Sequence, residues 1–170
     1  QKTHAKVQVA HPTRFSPKID TIRRLIAEGA IGTVLEYRGR GKEDRRGGGE
    51  DLWVLGAHIM DMIRALAGHP RWCFARVFQD GKRVTQKDVF DGPEGLGPLA
   101  GDALHAMYAM GDGSMAYFSS LKDAGQKARY ALQNHGSEGI IELTEGILPT
   151  VKYLADRTWS PGRSNAKWQN

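Results

Sequence analysis

The chain has a single cysteine in 170 residues, Cys73 between Trp72 and Phe74, so it forms no internal disulfide and no cysteine-based metal cluster. That scarcity fits a reducing compartment, and a cytoplasmic protein is the expectation. No run of about 18 apolar residues occurs, which excludes an ordinary membrane-spanning helix. Gln1, Lys2, Thr3 and His4 are polar and give no signal-peptide core. Charge of one sign is not concentrated anywhere: 24 Lys and Arg face 19 Asp and Glu, and Arg45-Arg46 follows Glu43-Asp44 directly. The charge therefore reads as a solvated surface, with no nucleic-acid partner expected. A glycine-rich dinucleotide fingerprint is also missing, because the nearest run, Gly95, Gly97 and Gly101, has the wrong spacing and prolines around it. His105 and His135 fall in strand-like stretches without neighbouring ligands, so no metal site is expected. The chain does not open on methionine, which suggests a piece of a longer protein.

What is present is an ordinary globular composition, 40% apolar, long enough to bury a sizeable core. Residues 6–10 alternate like a short strand before Pro12 breaks the pattern. Ser16 suits a helix N-cap and Pro17 the first helical position; Ile19, Ile22, Leu25 and Ile26 recur on one face until Gly29. Residues 33–40 alternate as a strand. Residues 41–49 carry no apolar anchor and end in three adjacent glycines, which predicts a mobile surface loop or backbone passing close to a ligand.

Residues 50–67 are apolar almost all round the wheel, predicting one buried helix ended by Gly68 and Pro70, with Asp51, His58 and Asp61 along a single edge. Strand-like stretches follow at 72–79, 103–110, 114–120, 128–134, 139–143 and 147–153, with turns at Asp112-Gly113 and Ser137-Glu138-Gly139. Residues 80–102 read as a long loop with a short edge strand near 84–90, and the polar residues from 158 onward as a loose tail. The fold class expected is α+β, an open, mostly antiparallel sheet with helices packed on one face. Met107, Ala109, Met115, Tyr117, Ile140 and Leu143 exceed what two helices cover, so the other sheet face is expected to meet a second copy.

Four segments in order carry a resemblance: His11-Pro12-Thr13-Arg14-Phe15, the helix end from Leu25 to Gly32, the three glycines at 47, 48 and 49, and Leu55-Gly56-Ala57-His58-Ile59-Met60-Asp61 closing at Leu66-Ala67-Gly68. Together they resemble the C-terminal domain of oxidoreductases of the glucose–fructose oxidoreductase / inositol dehydrogenase (Gfo/Idh/MocA) family. The resemblance implies a two-domain parent in which a Rossmann domain binds NAD or NADP and this domain covers the nicotinamide. Residues 1–10 would then be the remnant of the last Rossmann strand, 11–157 the substrate and oligomerisation domain, and 158–170 a tail. The implied activity is dehydrogenation of a sugar, polyol or related hydroxy compound, with no dinucleotide bound by this piece alone.

The resemblance assigns His58 as general base or proton relay; Asp61, one turn on, is placed to orient it by accepting a hydrogen bond, or equally to pair with Arg64 or cap a neighbouring loop. Arg14, Asp51 and Trp53 become substrate-pocket residues by position. Two departures stand out. The Glu-Lys-Pro segment carrying the family's catalytic lysine is absent, and the aspartate common one turn before the histidine is here Val54. From the residues alone, His58 also reads as a core histidine, and Asp51 as a favourable charge at a helix N-terminus. Two other classes stay open: a non-enzymatic dimerisation or binding module, and a glycoside-cleaving relative using transient hydride chemistry.

Overall fold

In the computed structural model the chain is described for residues 5–124, 130–144, 149–160 and 165–170. A 3-10 turn, Pro12–Phe15, leads into helix α1, Pro17–Ala27. The Ser16 hydroxyl accepts the Lys18 N–H at 3.2 Å, and Pro17 takes the first helical position where its missing N–H costs nothing. Ile19 and Ile22 are wholly buried from this helix. Strand β1, Val34–Arg40, follows.

The segment predicted as one helix over 50–67 is two. A 3-10 turn spans Glu50–Leu52, residues 53–55 form a turn, and helix α2 runs Gly56–Ala67. The break lies where Asp51 folds back: its Oδ1 accepts the Gly56 N–H at 3.0 Å and so starts α2 afresh. The remaining strands are β2 Pro70–Gln79, β3 Lys82–Arg83, β4 Phe90–Gly92, β5 Gly97–Leu99, β6 Ala103–Met110, β7 Met115–Leu121, β8 Ala131–Gly136, β9 Ile140–Thr144 and β10 Thr150–Leu154.

Eight strands form one sheet in the order β10-β9-β8-β1-β7-β6-β2-β3, while β4 and β5 make a separate hairpin. Every neighbouring pair is antiparallel except β1 with β7. This is the α+β architecture expected, with one difference: β1 inserts between β7 and β8 and divides the run of late strands. Within residues 80–102 the edge strand expected near 84–90 is replaced by β3, a 3-10 turn Gln86–Asp88 capped by Thr85, and the β4–β5 hairpin. Residues 128–129 and 147–148 of two predicted strands lie outside the described residues.

Both helices lie on one face, over a core that includes Ile19, Ile22, Tyr37, Ile59, Met62, Phe118, Leu132, Ile141 and Leu143. Two glycines permit the close approach. A Cβ on Gly39 would stand 2.4 Å from Ile59 Cγ2, and one on Gly56 2.6 Å from Phe118 Cζ. Residues 5–10 form no strand; they are exposed, and no described segment lies beside them to take ladder hydrogen bonds. The described parts of the tail are tied down rather than loose. Gln169 exchanges two backbone hydrogen bonds with Tyr153 on β10, and Trp159 donates to the Gly136 carbonyl while its ring meets His135. No described helix is long and apolar enough to cross a membrane.

Candidate functional site

The first turn of α2 and the residues leading into α1 meet, because the Pro12–Phe15 turn packs on α2. His58 is the third residue of α2 and Asp61 lies one turn on, on a buried stretch with Ile59, Met62 and Ile63. Asp61 is 5% exposed, and its Oδ1 receives the Arg14 guanidinium at 2.8 Å. His11 Nδ1 stands 3.6 Å from the same oxygen. The His11 and His58 rings meet edge to face with centroids 5.1 Å apart. Two atoms in this cluster, His58 Nδ1 and Asp61 Oδ2, are buried with no hydrogen-bond partner among the described residues.

The electrostatics follow from that enclosure. Burial penalises an imidazolium, and the neighbouring His11 adds to the effect, so His58 is held below the ordinary histidine value; the Asp61 carboxylate opposes the shift. A half-buried imidazole in this setting is neutral near pH 7 and ready to accept a proton. The residue that sequence reasoning missed is His11. It stood there only as part of a five-residue motif, and nothing local to it signals contact with α2.

The other expected site residues are placed as follows. Arg14 joins the cluster through Asp61, with its side chain 35% exposed. Asp61 is engaged by Arg14, whereas Arg64 turns to His69 Nδ1 at 3.1 Å. Trp53 is 65% exposed in the turn just before α2. Asp51 does not share an edge with His58, since the helix is broken between them. It is 1% exposed, its Oδ1 caps Gly56, and its Oδ2 accepts the Ser120 hydroxyl at 2.7 Å. A substrate-facing role does not suit a carboxylate so enclosed, and burial raises its pKa despite these bonds.

The glycine run is neither a free loop nor a ligand cradle. Added Cβ atoms at 47, 48 and 49 would strike backbone of Leu121, Gly101 and Ala100 at 2.0–2.5 Å, so the glycines let one chain segment lie on others. A cavity of about 820 Å³ lies elsewhere, lined by Glu36, Arg38, Arg40, Gln133 and Glu142 among others. Tyr37 and Gly39 point toward the helices, so by strand alternation these β1 side chains occupy the opposite face. That trough holds ion pairs and amides rather than an acid–base centre. Among the described residues no group of three or more His, Cys, Asp or Glu is arranged for a metal ion. Nor does either helix fit a dinucleotide pyrophosphate: α1 follows a 3-10 turn and Ser16, and the first amide of α2 is taken by Asp51.

Residues 19–142 match the sequence profile described as the GFO/IDH/MocA C-terminal domain. No curated protein matches the chain in sequence. Among solved structures, levoglucosan dehydrogenase in complex with NADH and levoglucosan is 20% identical with a TM-score of 0.67, covering 95% of this chain and 46% of that one. An NAD binding oxidoreductase from Klebsiella pneumoniae is 16% identical, TM-score 0.65, over 95% of this chain and 45% of that one. A putative NADPH-dependent oxidoreductase from Desulfitobacterium hafniense is 13% identical, TM-score 0.67, over 99% and 50%. The chain thus spans half or less of the length of these structures.

Proposed function

The chain belongs to the GFO/IDH/MocA C-terminal-domain family, and from that premise we propose that it is the substrate-side domain of an NAD(P)-dependent oxidoreductase acting on a sugar, polyol or related hydroxy compound. The observation that carries this reading is the half-buried His58 with its unpartnered Nδ1, beside His11 and the Arg14–Asp61 pair. Oxidation of a secondary alcohol requires loss of the hydroxyl proton, and His58 is the acceptor of that proton. The described residues do not fit the dinucleotide itself; on this reading a nicotinamide held elsewhere in the intact protein would take the hydride. Arg14 offers hydrogen-bond donors beside His58, and Trp53 offers an exposed ring on which the apolar face of a sugar can lie. A hydroxy-compound substrate is consistent with the structural likeness to levoglucosan dehydrogenase, which was solved with levoglucosan.

We place a second copy of the chain on the open sheet face. Met107, Ala109, Met115 and Tyr117 lie there as expected, joined by Trp72 and Phe74, which pair in register with Ala109 and Met107. Leu143 is in the core under the helices and Ile140 is already buried within the chain, so neither serves that interface.

The test uses the intact protein, assayed against sugars and polyols with NAD and NADP while product and reduced nicotinamide are both followed. His58→Ala is expected to lower turnover by roughly 10²–10⁴-fold while the protein stays folded. A folded variant with near-normal turnover overturns the assignment. Cleaved glycoside without net oxidation would replace it with glycoside chemistry.

A further inference from the structure

His11 lies just ahead of the Pro12–Phe15 turn, and its imidazole is held between two partners. On one side its Nδ1 is 3.6 Å from Asp61 Oδ1, an oxygen fixed by the Arg14 guanidinium at 2.8 Å. On the other its ring meets His58 at 5.1 Å between centroids and 69° between planes, an edge-to-face contact. The positions from which a carboxylate would ordinarily act on His58 are otherwise spent. Val54 stands one turn before it, and Asp51 is turned inward to Gly56 and Ser120.

We propose that His11 is a positioning residue for His58, orienting its ring by the edge-to-face contact and, as a polar ring set opposite Asp61, shaping the surroundings in which His58 takes up a proton. This rests on the reading of His58 as the proton acceptor. The surroundings permit such control. His11 and Arg14 approach from the segment before α1 and Asp61 comes from the same helix, while Tyr37, Ala116 and Phe118 face the helices from β1 and β7. Of these strand residues only Tyr37 titrates, and burial pushes it up to about 12, so it is neutral at physiological pH. Burial first and the neighbouring His11 second hold the His58 pKa below the ordinary histidine value, while Asp61 opposes them.

The experiment compares His11→Phe, which keeps a ring and loses the imidazole nitrogens, with His11→Ala and His58→Ala in the intact protein. It reads the titration of His58 by histidine-selective NMR, the pH profile of turnover, and thermal stability. In His11→Phe, His58 is expected to titrate at higher pH, with the acid limb of the turnover profile moving the same way. His11→Ala, lacking the ring as well, is expected to lose roughly 10–100-fold in turnover, the range typical of groups that orient a functional side chain. If His11→Phe leaves both the His58 titration and the profile where they were, His11 only packs and the proposal fails. The reading of His58 survives that failure so long as His58→Ala is inactive. If instead His58→Ala retains turnover, the proton-acceptor reading fails, and the titration still reports whether His11 acts on His58. Should His11→Phe lower stability, His11→Asn removes the imidazole with a smaller polar side chain.

Discussion

Asp51 sits under the start of α2 and takes hydrogen bonds from the Gly56 amide and the Ser120 hydroxyl, so it holds a helix start to the sheet. Asp51→Ala would leave these donors, with the Lys42 amide that also bonds the carboxylate, unmatched in the interior, and is expected to cost about 2–3 kcal/mol, read by urea denaturation. Asp51→Asn keeps the acceptor for Gly56 and should cost less. Its pH dependence should also differ. Burial raises the Asp51 pKa, so the native state holds this proton longer than the unfolded chain does, and stability declines as pH rises from the unfolded carboxylate value through the native one. The wild type should show that decline relative to Asp51→Asn, and parallel pH curves for the two would contradict it. Residues of this kind were legible only in part. Ser16 and Pro17 announced their helix start because capping is local. The place of His58 and Asp61 on one helix was legible from the wheel. Asp51 was misplaced because a wheel drawn over residues 50–67 assumes an unbroken helix, and His11 was missed because its contacts with α2 bridge segments far apart in the chain.

At the scale of elements, strand alternation and turn residues gave most spans, since a period of two with Asp112-Gly113 between β6 and β7 is written in consecutive residues. Neighbours in the sheet are not written that way. Nothing in residues 34–40 says that β1 will pair parallel with β7 on one side and antiparallel with β8 on the other. That place is recorded in Gly39, which lets α2 settle onto β1 through Ile59. Gly39→Ala is expected to destabilise by about 1–3 kcal/mol through overpacking against a fully buried side chain. Because the clash is with Ile59 Cγ2, adding Ile59→Ala should cost less in the Gly39→Ala background than in the wild type, a coupling that denaturation of the four proteins measures. Strictly additive losses would mean that the helix does not rest on that glycine.

The whole molecule has two unlike sheet faces, and the open one is itself divided. Toward β8 and β9 it carries paired polar groups, with Arg38 on Glu36 at 2.6 Å and Gln133 donating to Glu142 at 2.7 Å. Toward β2, β6 and β7 it carries Trp72 at 49%, Phe74 at 48% and Tyr117 at 36% exposure, with Met107 and Met115 between them. An apolar patch beside a polar one rich in ion pairs suits a two-fold contact, in which each copy covers the other's aromatics and the paired charges remain at the rim. Light scattering is therefore expected to report a dimer at micromolar concentration. Tyr117→Glu should weaken it without unfolding the chain, because this side chain lies outside the helix-covered core. Losing the burial of one aromatic side chain removes about 3 kcal/mol, roughly 100-fold in Kd, and the two-fold repeats the loss in each copy. Circular dichroism unchanged with a monomeric Tyr117→Glu variant is the expected result. A wild type that stays monomeric throughout that range, or a Tyr117→Glu protein as dimeric as the wild type, would show that this face meets no second copy.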